Sequence, residues 1–129
     1  MSATLRERRA RLDPVNYLPH RADSVAAGIE PRAWGLSREI LTVVDPAHYR
    51  RSAIAGSALY CASLAVSGEN RVHQTAVGDL VGVSDNAIRR HMPRVADAAL
   101  NDVDVAEYDG DIRVLQHVAR TGTVKSLSW

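Results

Sequence analysis

The 129-residue sequence contains a single cysteine, Cys61, and no phenylalanine. One cysteine excludes an intrachain disulfide and a thiolate cluster for zinc, which removes zinc fingers and ribbons. Cys61 is expected to be a small core residue. Lysine is almost absent, since every basic residue except Lys125 is arginine. No apolar run approaches the roughly 18 residues that a membrane span needs. The opening MSATLRERRARLD offers no apolar segment for a secretory signal. The expectation is a cytoplasmic protein that does not engage a membrane. Gly-rich phosphate loops of the nucleotide-binding type, nucleophile elbows and paired-acid arrangements are also missing, so no enzymatic activity and no cofactor are expected. His20, His48, His73, His91 and His117 lack metal-ligand spacing, and no metal is expected.

What is present suits a folded chain. A hydrophobic content of 46% and a charged content of 24% exclude wholesale disorder. The length fits one domain of the usual size, about 100 to 200 residues, with a tail. The net charge of +1 hides an asymmetry along the chain. Residues 1–12 carry Arg6, Arg8, Arg9 and Arg11 and form a basic N-terminal arm, a solvated helix start or a phosphate-neutralising segment. The run from Asp97 to Asp111 is acidic and reads as a linker that begins the extension 101–129, with Tyr108 and Trp129 available to dock on the core.

Between these ends, apolar residues recur at helical spacing and strand signals are scarce through residue 100. An all-α domain of five helices over residues 13–100 is predicted. The first helix spans about 14–27, with Asp13 as cap, Pro14 at its first position, Gly28 beyond its end, and Val15, Leu18, Ala22, Val25 and Ala26 on its apolar side. A second spans about 31–44, ending before Asp45-Pro46 and burying Trp34, Ile40 and Leu41. A third, about 49–66, contains IAGSALYCASLAV, whose small residues on several faces mark a central helix approached from several sides. The fourth and fifth span about 72–81 and 85–100. Beyond them, Asp111 caps a short helix through Arg120, or DIRVLQHV and TVKSLSW form two strands; the helix is favoured.

QTAVGDLVGVSDNAIRRHM, residues 74–92, reads as a helix-turn-helix. Such a motif needs a small residue where the helices cross, a Gly in the turn, apolar residues beside that Gly, and a cap for the second helix. Gly78, Gly82, Val81 with Val83, and Ser84 meet these needs, with Val77 and Ile88 between the helices. Ile88, Met92, Val95 and Ala99 form the inward stripe, leaving Asn86, Arg90 and Pro93 outward and Arg89 and Arg94 on the flanks. Arg pairs with guanine and Asn with adenine in a major groove. The candidate DNA-binding residues are therefore Ser84, Asn86, Arg89, Arg90 and Arg94, with Gln74 and Thr75 as phosphate donors at the start of the fourth helix. Pro93 deletes the backbone bond to the Arg89 carbonyl and is expected to kink the fifth helix.

YRRSAIAGSALYCAS (49–63) followed by HQTAVGDLVGVSDNAIRRHMPRV (73–95) resembles one cyclin-fold repeat of archaeal transcription factor B, the counterpart of eukaryotic factor IIB. The family's Ala-rich central helix has its equivalents in Ile54, Ala55, Ala58, Leu59 and Tyr60. Its helix-turn-helix pattern is matched at Gln74, Val77, Gly78, Gly82, Val83, Ser84, Ile88 and Arg89. The resemblance covers about residues 13–100 and departs from the family at His73, Met92 and Pro93, and in having one repeat and no zinc ribbon. It implies a cyclin-like domain that binds duplex DNA in transcription, with TATA-binding protein, RNA polymerase or a second copy as partners. It also implies something other than a complete initiation factor. The alternative is an adaptor that modulates the transcription machinery by binding protein alone.

Overall fold

Proline, glycine and short polar caps divide the chain into helices, and the computed structural model describes residues 13–45 and 49–124. The basic arm 1–12, His48, Lys125 and Trp129 lie outside the described residues. The α-helices are α1 (Arg21–Ala26), α2 (Pro31–Val43), α3 (Arg51–Ser67), α4 (Gln74–Val81), α5 (Asp85–Asp102) and α6 (Ile112–Thr121). Short 3-10 turns occupy Pro14–Tyr17, Gly68–Asn70 and Val105–Tyr108. No strand occurs among the described residues, and the fold is all-α.

The first expected helix is corrected. Asp13 does cap, accepting from the Val15 amide at 3.0 Å, but it caps only the 3-10 turn Pro14–Tyr17. Leu18 precedes Pro19 and takes ψ 135°, the extended conformation that a following proline imposes. The chain restarts as α1 at Arg21. Its inward residue is Ser24, whereas Ala22, Val25 and Ala26 are exposed. The Ser24 hydroxyl is buried without a hydrogen-bond partner among the described residues. Val15 and Leu18 still pack against the core from the turn.

α2 begins at Pro31, where the missing amide costs no hydrogen bond, and buries Ala33, Leu36, Ser37, Ile40 and Leu41. Trp34 is half-buried, and its indole N–H donates to the Pro19 carbonyl at 2.8 Å, fastening the Pro19 bend to α2.

α3 is enclosed. Every residue from Ala53 to Ala65 is buried, with α2 and α5 as its most extensive neighbours and α4 and α6 also against it. Small side chains permit that approach: a Cβ on Gly56 would lie 3.0 Å from Val83 Cγ2 and 3.3 Å from Ile88 Cγ1. The polar groups on α3 are spent on the neighbouring backbone. Ser57 Oγ donates to the Ile88 carbonyl, and Cys61 Sγ lies 3.8 Å from the Met92 carbonyl. Burial pushes the Cys61 thiol up to about 12, so it is a packing residue that stays protonated.

α5 runs through Pro93 without ending and reaches Asp102. Pro93 is half-buried, because the end of α6 comes against it: a Cβ on Gly122 would lie 3.3 Å from Pro93 Cγ.

The extension belongs to the core. After α5 the acidic stretch crosses back with Val105 buried, and the Asp111 amide donates to the Ala65 carbonyl at 2.8 Å. Tyr108 covers Gly35 of α2, and Arg32 pairs with Asp109 and Glu30. Asp111 then caps α6, accepting from the Arg113 amide at 2.9 Å, which settles the helix-or-strand choice in favour of the helix. Val114, Leu115 and Val118 are buried on its inner side. Full burial of such side chains contributes about 1.5–3 kcal/mol each.

Candidate nucleic-acid interface

α4 ends where Gly82 takes φ 83° and ψ 37°, a left-handed conformation natural to glycine. The amides of Gly82 and Val83 both donate to the Gly78 carbonyl, at 2.7 and 2.9 Å. The turn folds back so tightly that a Cβ on Gly78 would lie 2.6 Å from the Val83 carbonyl oxygen. Ser84 caps α5, its hydroxyl accepting from the Ala87 amide at 3.2 Å. His73, in the capping position of α4, makes no side-chain cap. Val77 and Ile88 are both fully buried.

The expected DNA-binding residues fall into three groups. Gln74 and Thr75 are turned onto the first turn of α5. Gln74 Nε2 donates to the Asp85 carbonyl at 2.7 Å, and Thr75 Oγ1 donates to the Asp85 carboxylate at 2.9 Å. They clamp the two helices together, a role that the sequence did not suggest for them.

Asn86, Arg89 and Arg90 are exposed on the first two turns of α5 and lie near the capping Ser84, itself exposed. Among the described residues, no carboxylate forms an ion pair with Arg89 or Arg90. Arg89 lines a cleft of about 510 Å³ with Gln74, Met92, Thr123 and Val124.

Arg94 is drawn away from this group. Its guanidinium lies 3.8 Å from the centroid of the Tyr49 ring, and one nitrogen is 3.5 Å from the Asp45 carbonyl. A cation held over an aromatic face secures the segment that leads into α3. It is half-buried there, turned from the exposed group of Asn86, Arg89 and Arg90.

Two neighbours of the candidate site were missed from the sequence. Asp85 carried one signal, an acid in the first turn of a helix. Tyr49 carried none, because it meets α5 only through the fold. Its ring stands edge-on to His91, with centroids 5.0 Å apart and planes at 73°.

His91 is buried on the inner side of α5 and widens the stripe of Ile88, Met92, Val95 and Ala99. Burial, and after it the charges of Arg94 and Arg90, hold its imidazole below the ordinary value of 6.5. The unfolded chain therefore binds this proton at a higher pH than the folded one. Stability from neutral His91 is complete above about pH 6.5 and is lost as the pH falls through the folded-state value. Thermal unfolding followed from about pH 7.5 to about pH 5 is expected to show a declining midpoint, and His91→Gln to show a shallower decline. Identical pH profiles for the two proteins would exclude His91 as the cause.

Among the described residues, no group of three or more His, Cys, Asp or Glu is placed to hold a metal ion, and no helix is long and apolar enough to cross a membrane. In comparisons with protein-family models, curated proteins and solved structures, nothing matches the chain.

Proposed function

We propose that the chain binds duplex DNA through α4 and α5 and regulates transcription in the cytoplasm, without catalysing a reaction, in the manner of the transcription factor B repeat that its sequence resembles. One observation carries this proposal. A tightly crossed helix pair, closed at Gly78 and Gly82 and capped by Ser84, presents Asn86, Arg89 and Arg90 on the first turns of its second helix. In a helix-turn-helix, that end of the second helix enters the major groove.

With Arg94 held over Tyr49, the described residues of α4 and α5 supply two free guanidinium groups, those of Arg89 and Arg90, to the duplex. If both neutralise phosphate, the logarithm of affinity falls with the logarithm of salt with a slope of about −1.8, and of about −0.9 if only one does and the other reads a base edge. A single copy is thus a weak binder. TATA-binding protein, RNA polymerase or a second copy of the chain would supply the remaining affinity.

Fluorescence anisotropy of a labelled promoter duplex containing a TATA element tests the proposal, with and without TATA-binding protein. Between about 50 and 200 mM salt, affinity is expected to fall roughly three- to tenfold. The double variant Arg89→Ala/Arg90→Ala is expected to lose binding while keeping the wild-type unfolding curve. Wild-type affinity in that variant would overturn the assignment of this face.

A second function, an adaptor that binds protein alone, is favoured by the internal engagement of Gln74, Thr75 and Arg94. Capture of TATA-binding protein that resists both nuclease and salt would select it.

A further inference from the structure

The three exposed polar residues on the first turns of α5 do not point the same way. At about 100° per residue, Asn86 and Arg90 lie within about 20° of the direction opposite Ile88. Ile88 is completely buried, so these two side chains project directly away from the core. By the same measure Arg89 is turned about 80° to one side. The cleft confirms that flank, since Arg89 faces Gln74 from the start of α4 and Val124 from the chain beyond α6. Arg94 is turned to the other side and is held over Tyr49.

Farther along the outward line comes Asp97, exposed. It borders a second groove with Asp45, Asp102, Asn101 and Arg94. Carboxylates there would repel phosphate, so α5 is suited to enter a groove by its N-terminal end rather than to lie along it. Only the stretch up to Arg90 is then placed to reach base edges.

We infer that Asn86 and Arg90 are the base-reading pair of this protein and that Arg89 is a positioning residue that holds the DNA backbone. This rests on the DNA-binding function proposed above. Arg90 has the fork geometry to donate to O6 and N7 of guanine, and the Asn86 amide can pair with N6 and N7 of adenine. Four residues of helix rise about 6 Å, which is the most they can separate along the duplex when the helix enters end-on, against about 3.4 Å per base step. The two contacts thus fall on the same or neighbouring base pairs, no more than about two apart. The ligand class is therefore a duplex with a G·C pair and an A·T pair within that separation, read from the major groove.

In vitro selection from a randomised duplex pool with the full chain tests this, followed by titration of the selected duplex and its point variants with Arg90→Ala, Asn86→Ala and Arg89→Ala. All three positions are exposed, and matching unfolding curves will show that the fold is intact. The selected site is expected to carry the two pairs within the stated spacing. Arg90→Ala is expected to lose about tenfold or more of the preference for G·C at one position, and Asn86→Ala a similar preference for A·T at the other. Arg89→Ala is expected to weaken binding to every duplex alike and to reduce the salt slope by about 0.9. Loss of the G·C preference in Arg89→Ala but not in Arg90→Ala would overturn the inference, as would a selection that returns no preferred pairs while the wild type binds DNA. Failure of the wild type to bind any duplex at about 50 mM salt would instead overturn the DNA-binding function itself, and the inference with it.

Discussion

Replacing Gly78 by alanine is expected to destabilise the protein by about 3 kcal/mol and to lower its thermal midpoint by roughly 10 °C. The added Cβ would lie 2.6 Å from the Val83 carbonyl oxygen, a backbone atom that cannot rotate away. That same Gly78 closes the turn, since its own carbonyl accepts both the Gly82 and the Val83 amides. Relief therefore requires α4 and α5 to separate, which costs the turn its hydrogen bonds. Gly82→Ala provides the contrast. Nothing among the described residues lies within 4 Å of a Cβ there, and the penalty is the left-handed backbone alone, about 1 kcal/mol. Thermal and urea unfolding of the two variants will measure the difference. A Gly78→Ala protein that melts with the wild type would show that the helices shift apart at no cost.

Ile88→Ala is expected to cost about 3–4 kcal/mol, with Ile88→Val costing about 1. Ile88 is completely buried and fills the space above two glycines: its side-chain carbons come within 3.3 Å of a Cβ built on Gly56 of α3 and 3.6 Å of one built on Gly78 of α4. Truncation leaves a cavity that three helices would have to collapse around, and the enclosed α3 has little freedom to move. Urea unfolding gives the loss directly. A cost below that of the valine variant would mean that the site collapses fully. DNA affinity is a second readout, because Arg89 follows Ile88 and moves with it.

Local chemistry made much of this fold legible. Pro31 and the Asp45-Pro46 pair mark α2, while Gly82 and Ser84 mark the turn between α4 and α5; in each case one residue type favours one backbone state. The small residues of IAGSALYCASLAV showed that α3 would be surrounded. Leu18-Pro19 carries the same signal as Asp45-Pro46 and breaks the chain for the same reason, yet the apolar spacing through Val15, Leu18 and Val25 outweighed it in predicting a continuous helix. Charge concealed the extension. Six acids between Asp97 and Asp111 look like a solvated linker, although Val105 among them is buried and the Asp111 amide is tied to α3.

At the candidate site, helical geometry alone separated Asn86 and Arg90 from their neighbours. The sequence could not show that Arg94 would be taken by Tyr49, or Gln74 and Thr75 by Asp85. These are contacts between elements, and no periodicity along one segment encodes a partner on another.

The side-chain contacts that α3 makes with α5 limit how independently the surface proposed to face DNA can change. Ser57 donates to the carbonyl of Ile88, and Cys61 lies against that of Met92, so the backbone of α5 is registered against the buried helix on either side of Arg89 and Arg90. If that face reads DNA as proposed, substitutions on it would alter which bases are favoured without disturbing that register. Substitutions in the core tilt the whole face at once. Specificity of such a site would therefore drift residue by residue on the surface, while its angle of approach would be inherited from the interior and held as firmly as the fold itself.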